Sequence, residues 1–156
     1  VFLFRDHRVG LEICYDVFFP EITRSLALRG AELLTAISAS PVTSRRLFDR
    51  ILPARAIENG AVVVYVNRVG VEDGVVFGGG SGAWDPRGEP IELAAVEFER
   101  RTPEEAVSLA TVDLTELPRW RRFRPTLRDV ASRPPPADAP PPEFSSTGAA
   151  TPTGRL

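Results

Sequence analysis

The sequence contains no lysine, because all 19 of its basic residues are arginine. A mechanism that requires a lysine amine therefore cannot be completed by this chain alone. The only cysteine, Cys14, excludes an internal disulfide, so a reducing, cytoplasmic location is expected. The only histidine, His7, lies in a predicted turn and cannot supply a metal cluster. We therefore expect neither a metal nor another cofactor.

Long apolar runs are also missing. No run approaches the ~20 residues needed to cross a bilayer, so no membrane-spanning segment is expected. The net charge of −2 gives no general attraction for nucleic acid. The one basic and aromatic cluster, RWRRFR at 119–124, is interpreted as a packing or subunit-contact segment. The glycine run at 78–82 lacks the Gly-Lys-Ser/Thr ending of a phosphate-binding loop.

What is present is an alternation of strand and helix patterns. Strands are predicted at residues 1–4, 9–13, 32–37 (ELLTAI), 61–67 (AVVVYVN) and 106–114, with a hairpin around 83–89. The run at 61–67 is expected to be a central strand covered on both faces. Helices are predicted from Pro20 to Gly30 and from Leu47 to near Gly60, and Pro53 should kink or split the second. The pattern predicts an α/β fold with helices packed on a sheet.

The last 25 residues differ in composition from the rest of the chain. They are mainly Pro, Ala, Ser, Thr and Gly, with two PPP runs and little apolar surface to bury. We therefore predict one folded domain over residues 1–131 and a disordered tail over 132–156. Because the chain begins with Val1, inside a predicted strand, and not with Met, we interpret it as a fragment.

Cys14 lies where a predicted strand meets the start of a helix, in the stretch GLEICYDVFFPE at 10–21. This is the carboxyl end of the strand, where α/β sheets normally open their sites. The N–H of Tyr15 and the helix N-terminus favour negative charge on a thiolate or an oxyanion. The arrangement is the outline of a nucleophile elbow with cysteine in place of serine. Position alone, however, favours a buried structural cysteine.

The neighbouring motifs favour the reactive interpretation. GLEICYDVFFPE, followed by RSLALRGAELL, closely resembles the nucleophile segment of the nitrilase superfamily, the carbon–nitrogen hydrolases. The resemblance continues through ARAIEN at 54–59, VNRVG at 66–70 and GGSGAWDPRGE at 79–89, and it covers most of residues 1–129. It implies an αββα sandwich of the nitrilase type, of which this chain resembles an N-terminally truncated, C-terminal half.

The resemblance also implies a mechanism. In the family a cysteine attacks an amide or nitrile carbon, a glutamate takes the thiol proton and a lysine stabilises the tetrahedral intermediate. Ammonia or an amine leaves, and water then cleaves the thioester. Cys14 corresponds to the nucleophile, and the N–H of Tyr15 would help to form the oxyanion hole. The family's glutamate and lysine lie in the preceding half, so we expect this chain alone to be inactive and the complete protein to be a homo-oligomer.

Other polar residues near Cys14 receive structural interpretations. Glu12 shares a strand face with Cys14, but its position in the family is not that of the base. Asp16 and Glu21 are expected to orient the elbow by hydrogen bonds to backbone N–H groups. Arg55 and Glu58 are expected to form an ion pair one helical turn apart.

Val17, Phe18 and Asn67 complete the predicted set of substrate-pocket or elbow-supporting residues. Carbamoylases of this superfamily that act on amino-acid derivatives have paired arginines three and four residues after the cysteine. This chain has Val17 and Phe18 there, so a neutral or aliphatic amide or nitrile fits better. An amidase is favoured over a nitrilase only by the resemblance, since amide hydrolysis is the commoner activity in the family. The alternative is a non-catalytic scaffold or binding module that keeps the fold and uses Cys14 structurally.

Overall fold

The computed structural model describes residues 1–99, 102 and 104–133. The strands are β1 (Phe2–Phe4), β2 (His7–Ile13), β3 (Leu33–Ser38), β4 (Val62–Asn67), β5 (Val69–Glu72), β6 (Val75–Gly78), β7 (Gly82–Trp84), β8 (Ala94–Val96) and β9 (Val107–Leu109). The helices are α1 (Pro20–Leu28), α2 (Arg45–Asn59), α3 (Leu117–Phe123) and α4 (Thr126–Ala131), with 3-10 turns at Cys14–Phe18 and Val42–Ser44. The predicted disordered tail lies outside the described residues from residue 134 onward.

A five-stranded sheet forms the centre of the fold, in the order β1-β2-β3-β4-β7. Strands β2, β3 and β4 run parallel, whereas β1 and β7 are antiparallel to their neighbours at the two edges. The register pairs Ile13 with Ile37, and Ile37 with Val66. The three parallel strands therefore end at the same level, and their carboxyl ends share one edge of the sheet.

Helices α1 and α2 cover one face of this sheet. The alternate residues of β3 and β4 that point toward these two helices are buried. Side chains on the sheet-facing sides of the helices are buried with them. The resulting core comprises Val17, Ala31, Leu34, Ala36, Phe48, Leu52, Ala56, Ala61, Val63 and Tyr65. The predicted α/β class is confirmed.

Within the described residues, the opposite face of the sheet is covered at Val62, which is 3% exposed, and open at the carboxyl ends of the parallel strands. Ile13, Ile37 and Val66, which the register places side by side, are 59%, 45% and 48% exposed. The prediction that residues 61–67 form a central strand is confirmed, and the expected cover on both faces is present at Val62 and Val63, each 3% exposed, but absent at Val66 among the described residues. The reason is that α1 and α2 pack on the other face, and no described element covers the side chains at this end of the second face.

The helix ends follow the predicted signals. Pro20 begins α1, and Gly30 follows it with a φ of +91°, while Gly60 ends α2 with a φ of +52°. Pro53 does not split α2, which runs without a break from Arg45 to Asn59. Core packing holds the helix on both sides of the proline, since Leu52 and Ala56 are both buried.

Two parts of the chain differ from the predicted pattern. Strands β5 and β6 form a hairpin that the sequence reasoning did not predict, although its Asp73-Gly74 turn has the positive φ values such turns require. The strand predicted at 106–114 is shorter in the structure than in the prediction. Only Val107–Leu109 forms strand pairing, and its partner is β8. The basic and aromatic cluster at 119–124 lies mostly in α3.

Arg121 of α3 joins the ends of the two main helices. Its Nε donates to the carbonyl of Gly60 (2.9 Å), and its Nη2 donates to the carbonyl of Ala31 (2.6 Å). These carbonyls follow α2 and α1, so one guanidinium satisfies acceptors at the C-terminal ends of both helices. Trp120, its neighbour in α3, donates its indole N–H to the carbonyl of Pro86 (3.1 Å). The segment therefore packs against the fold as the sequence interpretation of this cluster proposed.

Replacing Arg121 should destabilise the chain. We expect Arg121→Ala to lower the free energy of unfolding by about 1–3 kcal/mol, because charge-assisted hydrogen bonds to two carbonyls are lost. Arg119→Ala is the matched control, since Arg119 is exposed and, among the residues that the structure describes, bonds only to Glu116; its effect should stay within ~0.5 kcal/mol. Urea unfolding of both variants measures the difference. Equal effects would contradict the role given to Arg121.

Candidate active site

Three polar side chains meet at the carboxyl ends of the parallel strands. Cys14 follows the last residue of β2, Ser38 ends β3 and Asn67 ends β4. The register pairs Ser38 with Asn67, and continuing the β2–β3 pairing by one residue brings Cys14 beside Ser38. The site therefore results from strand order and register, as expected for an α/β sheet.

The backbone of Cys14 has a left-handed conformation. Its φ is +48°, an uncommon value for a residue with a side chain, and it marks a sharp turn from β2 into the 3-10 turn. The Asp16 carboxylate stabilises this turn by accepting a hydrogen bond from the N–H of Ile13 (3.0 Å). The carbonyl of Asp16 also accepts from the N–H of Phe19 (3.0 Å), just before α1. A strained strand-to-helix turn at the reactive residue is the geometry of a nucleophile elbow.

Arg55 of α2 holds the 3-10 turn that begins at Cys14 through hydrogen bonds to its backbone. It is only 9% exposed, and its Nε donates to the carbonyl of Val17 (2.8 Å) and its Nη2 to that of Phe18 (3.4 Å). Its Nη1 pairs with Glu58 at 2.9 Å, as the sequence predicts. Arg55 therefore contributes more than an ion pair, because it satisfies two carbonyls of the turn that presents Cys14.

The thiol of Cys14 lies at the end of a pair of serine hydroxyls. Its Sγ lies 3.5 Å from the Oγ of Ser40, which in turn lies 2.6 Å from the Oγ of Ser38. Burial raises the pKa of the Cys14 thiol, but the hydroxyls of Ser38 and Ser40 and the backbone N–H groups of Ala39 and Tyr15 lower it by more, with Ser40 as the hydroxyl in hydrogen-bond contact with the sulfur. The pKa therefore lies below the ordinary value of a thiol. A lowered pKa increases the thiolate fraction near neutral pH.

Asn67 holds Ser40 in position. Its Oδ1 accepts from the N–H of Ser40 (2.8 Å), and its Nδ2 donates to the carbonyl of the same residue (3.0 Å). The same Nδ2 also donates to the carbonyl of Gly79 (2.8 Å), which lies in the glycine run. The side-chain amide thus joins the segment after β3 to the segment before β7, and it supports the site without contacting Cys14 directly.

Glu12 is buried in the helix-facing side of the sheet. It is 3% exposed, and its Oε1 has no hydrogen-bond partner within the described residues. Burial raises the pKa of the Glu12 carboxyl, while neighbouring Thr23 and Arg55 lower it and Asp16 raises it further. A carboxylate held among α1, α2 and the elbow turn is a structural group rather than a general base open to substrate.

The remaining predicted site residues occupy different surroundings. Tyr15 is exposed, and its ring stacks on Phe18 with centroids 5.3 Å apart. Phe18 also meets the core residue Phe48 edge to face. Val17 is fully buried beneath the elbow, so it supports the turn and cannot contact substrate. Glu21 lies exposed in the first turn of α1, and the hydrogen bond expected from it does not form within the described chain.

Ser38 and Ser40 were missed by the sequence reasoning. The available signal was a polar residue directly after the apolar run of β3, at the same sheet edge as Cys14 and Asn67.

No group of His, Cys, Asp and Glu in the described ranges could hold a metal ion. Among the helices of those ranges, none has the length and apolar character needed to span a bilayer.

Curated proteins of related sequence match the chain. The family model described as "Carbon-nitrogen hydrolase" matches residues 1–122. An (R)-stereoselective amidase from Pseudomonas sp. is 39% identical over 128 residues, which are 81% of this chain and 44% of the relative. A nitrilase from Pyrococcus abyssi is 38% identical over 108 residues, 69% of this chain and 37% of the relative. The chain thus spans less than half the length of these relatives.

Solved structures match the fold as well. A carbon-nitrogen hydrolase from Helicobacter pylori G27 superposes with a TM-score of 0.68 at 30% identity, over 81% of this chain and 47% of that one. A mutant of the amidase from Nesterenkonia sp. AN1, solved after Michael addition of acrylamide at its active site cysteine, has a TM-score of 0.60 at 32% identity. The match covers 83% of this chain and 47% of the amidase chain.

The lowered pKa of Cys14 predicts how the thiol reacts with iodoacetamide. The alkylation rate of the folded chain should rise with pH through a midpoint below that of the same chain unfolded in urea, because the fold stabilises the thiolate. The pH profile of the rate, measured on both states, tests this. A folded midpoint equal to or above the unfolded one, or a thiol that is protected until unfolding, would contradict the reactive site.

The raised pKa of Glu12 predicts a pH-dependent effect on stability. A folded pKa above the ordinary value of 4.5 means that Glu12 contributes stability while protonated and loses it as the pH rises through the folded pKa. Glu12→Gln, which stays uncharged, should therefore gain stability relative to the wild type as the pH rises above 4.5. Urea unfolding at several pH values measures this gain. A difference that does not change with pH would contradict it.

Proposed function

Since the chain belongs to the carbon-nitrogen hydrolase family, we propose that it supplies the nucleophile for hydrolysis of a small amide or nitrile. The observation that carries this proposal is the elbow at Cys14. A left-handed backbone presents the only thiol of the chain at the carboxyl ends of three parallel strands. Hydrogen-bond donors around that thiol favour its ionised form.

The proposed reaction starts from the thiolate of Cys14. Its Sγ attacks the carbonyl carbon of an amide, and the carbonyl oxygen becomes an oxyanion to which the N–H of Tyr15 donates. Collapse of this intermediate breaks the carbon–nitrogen bond, and the proton that the base took from the Cys14 thiol passes to the departing nitrogen. Ammonia or an amine leaves, and the acyl group remains as a thioester on Cys14. Water then hydrolyses the thioester to a carboxylic acid and restores the thiol.

We infer that the base and the cation for this reaction come from outside this chain. The chain has no lysine, and Glu12 is buried on the helix side of the sheet. The family resemblance assigns both roles to the preceding half of the domain, and this chain spans 44% of the amidase relative. The open sheet face, with Ile13, Ile37 and Val66 exposed, supports the same interpretation, because a second sheet would bury it.

We favour amides over nitriles as the substrate class, and neutral aliphatic amides in particular. An amidase is among both the curated relatives and the solved structures, whereas a nitrilase relative keeps the alternative open. Val17 and Phe18 occupy the positions after Cys14 where carbamoylases of the superfamily have arginines. Val17 is fully buried and Phe18 packs against Phe48, so neither offers a charge to a substrate carboxylate.

The test compares this chain alone with the chain produced together with the polypeptide that its gene encodes upstream. We expect no release of ammonia from butyramide by the chain alone, because the base and the lysine that the family resemblance implies are absent. Loss of each such group typically lowers the rate roughly 10²-fold or more. With the upstream polypeptide we expect turnover, abolished by Cys14→Ala and retained by Ser44→Ala, a matched control outside the site.

Two results would overturn parts of this proposal. Turnover by the chain alone that is lost in Cys14→Ala would show that no outside base or cation is needed. An assembled protein that hydrolyses neither amides nor nitriles, with an unreactive Cys14, would instead favour a non-catalytic scaffold or binding module.

A further inference from the structure

Two serines after strand β3 form a chain of hydroxyls that ends at the nucleophile. Ser38 is the last residue of β3, and Ser40 follows two residues later. Neither residue belongs to the sequence motifs that carry the family resemblance. The Oγ atoms of the two serines are 2.6 Å apart, and the Oγ of Ser40 is 3.5 Å from the Sγ of Cys14.

The direction of these hydrogen bonds follows from the ionised state of the thiol. A thiolate has no proton and can only accept, so the hydroxyl of Ser40 must donate to the Sγ of Cys14. The Oγ of Ser40 is then free to accept, and the hydroxyl of Ser38 can donate to it. Two hydroxyls thus point in one direction, toward the reacting sulfur, and each polarises the next.

The position of Ser40 is fixed by the fold. Its residue is only 4% exposed, and the side chain of Asn67 bonds to both its N–H and its carbonyl. Because this amide belongs to β4, the adjacent strand, the donor is held by the same sheet edge that presents Cys14. A donor held in this way loses little freedom when the thiolate forms, which is the condition for effective charge stabilisation.

We propose that Ser40 is a further catalytic residue of this site, donating to the Cys14 thiolate, and that Ser38 is a positioning residue that acts through Ser40. This inference rests on the proposed function, since it assigns roles in the same reaction. The sulfur is negative both before attack and when the thioester is cleaved. A hydroxyl donor at the sulfur therefore stabilises it as the attacking group and again as the leaving group.

Charged side chains near the elbow turn do not account for the lowered pKa of Cys14. The elements packed against the elbow turn are β2, β3, α1 and α2. Strand β3 carries no ionisable side chain, and the charged residues on the turn and on the nearby parts of the other elements are Glu12, Asp16, Glu21, Arg24 and Arg55. Burial and hydrogen bonds, rather than any of these charges, set the direction of the Cys14 pKa.

The experiment measures iodoacetamide alkylation of the full chain across pH for Ser40→Ala, Ser38→Ala and the double variant. We expect Ser40→Ala to raise the midpoint and to slow alkylation at neutral pH roughly two- to tenfold, the range that one hydrogen bond is worth. Ser38→Ala should shift the midpoint in the same direction. The double variant should shift it by less than the sum of the two, because Ser38 acts largely through Ser40.

Ser44→Ala is the matched control, since Ser44 lies in the same segment but makes no side-chain hydrogen bond at the start of α2. It should leave the midpoint unchanged, and all variants should alkylate equally once unfolded in urea. An unchanged midpoint in Ser40→Ala would overturn the catalytic role. Shifts that add fully in the double variant would overturn the action of Ser38 through Ser40.

The outcome is independent of hydrolysis. Alkylation requires only this chain, so the serine roles at the thiol are tested even if the complete protein hydrolyses no amide. Conversely, hydrolysis that depends on Cys14, together with unshifted serine variants, would retain the proposed function and refute the assignment of Ser40.

Discussion

The left-handed backbone of Cys14 is the constraint on which the site depends. A non-glycine residue in this conformation costs about 1–3 kcal/mol, so the surrounding structure must hold it. Here the Asp16 carboxylate accepts from the residue before the turn, and Arg55 donates to two carbonyls after it. The strain has a consequence for chemistry, because the turn lifts the thiol out of the strand and directs the N–H of Tyr15 toward the same space.

The parallel register extends this local geometry into a site. Strands β2, β3 and β4 end at one level, so Cys14, Ser38 and Asn67 become neighbours although they are far apart in the sequence. Asn67 then fixes the segment that carries Ser40. Each strand thus contributes a different property, namely the nucleophile, the hydroxyls beside it and the amide that holds them. The helix-facing side of the sheet provides the packed support, while the opposite face exposes Ile13, Ile37 and Val66 at the carboxyl ends of the strands.

Much of this arrangement could be predicted from the sequence. Pro20 and Gly60 mark helix ends by local stereochemistry, and the β-branched residues of the run at 61–67 favour a strand, so these elements were identified correctly. Ser40 could not be identified, because its contact with Cys14 depends on strand order and on the Asn67 hydrogen bonds, which no local pattern encodes. For the same reason Arg55 was assigned only a neighbour on its own helix, although it also bonds across to the elbow.

In the proposed reaction an acyl group passes through the sulfur of Cys14. The most direct measurement is mass spectrometry of the assembled protein after acid quenching during turnover of butyramide, followed by peptide mapping. We expect a butyryl group on the peptide that contains Cys14, and its loss on treatment with hydroxylamine, which cleaves thioesters. Turnover with the acyl group on another residue, or with no acylated protein under conditions where thioester hydrolysis limits the rate, would contradict it.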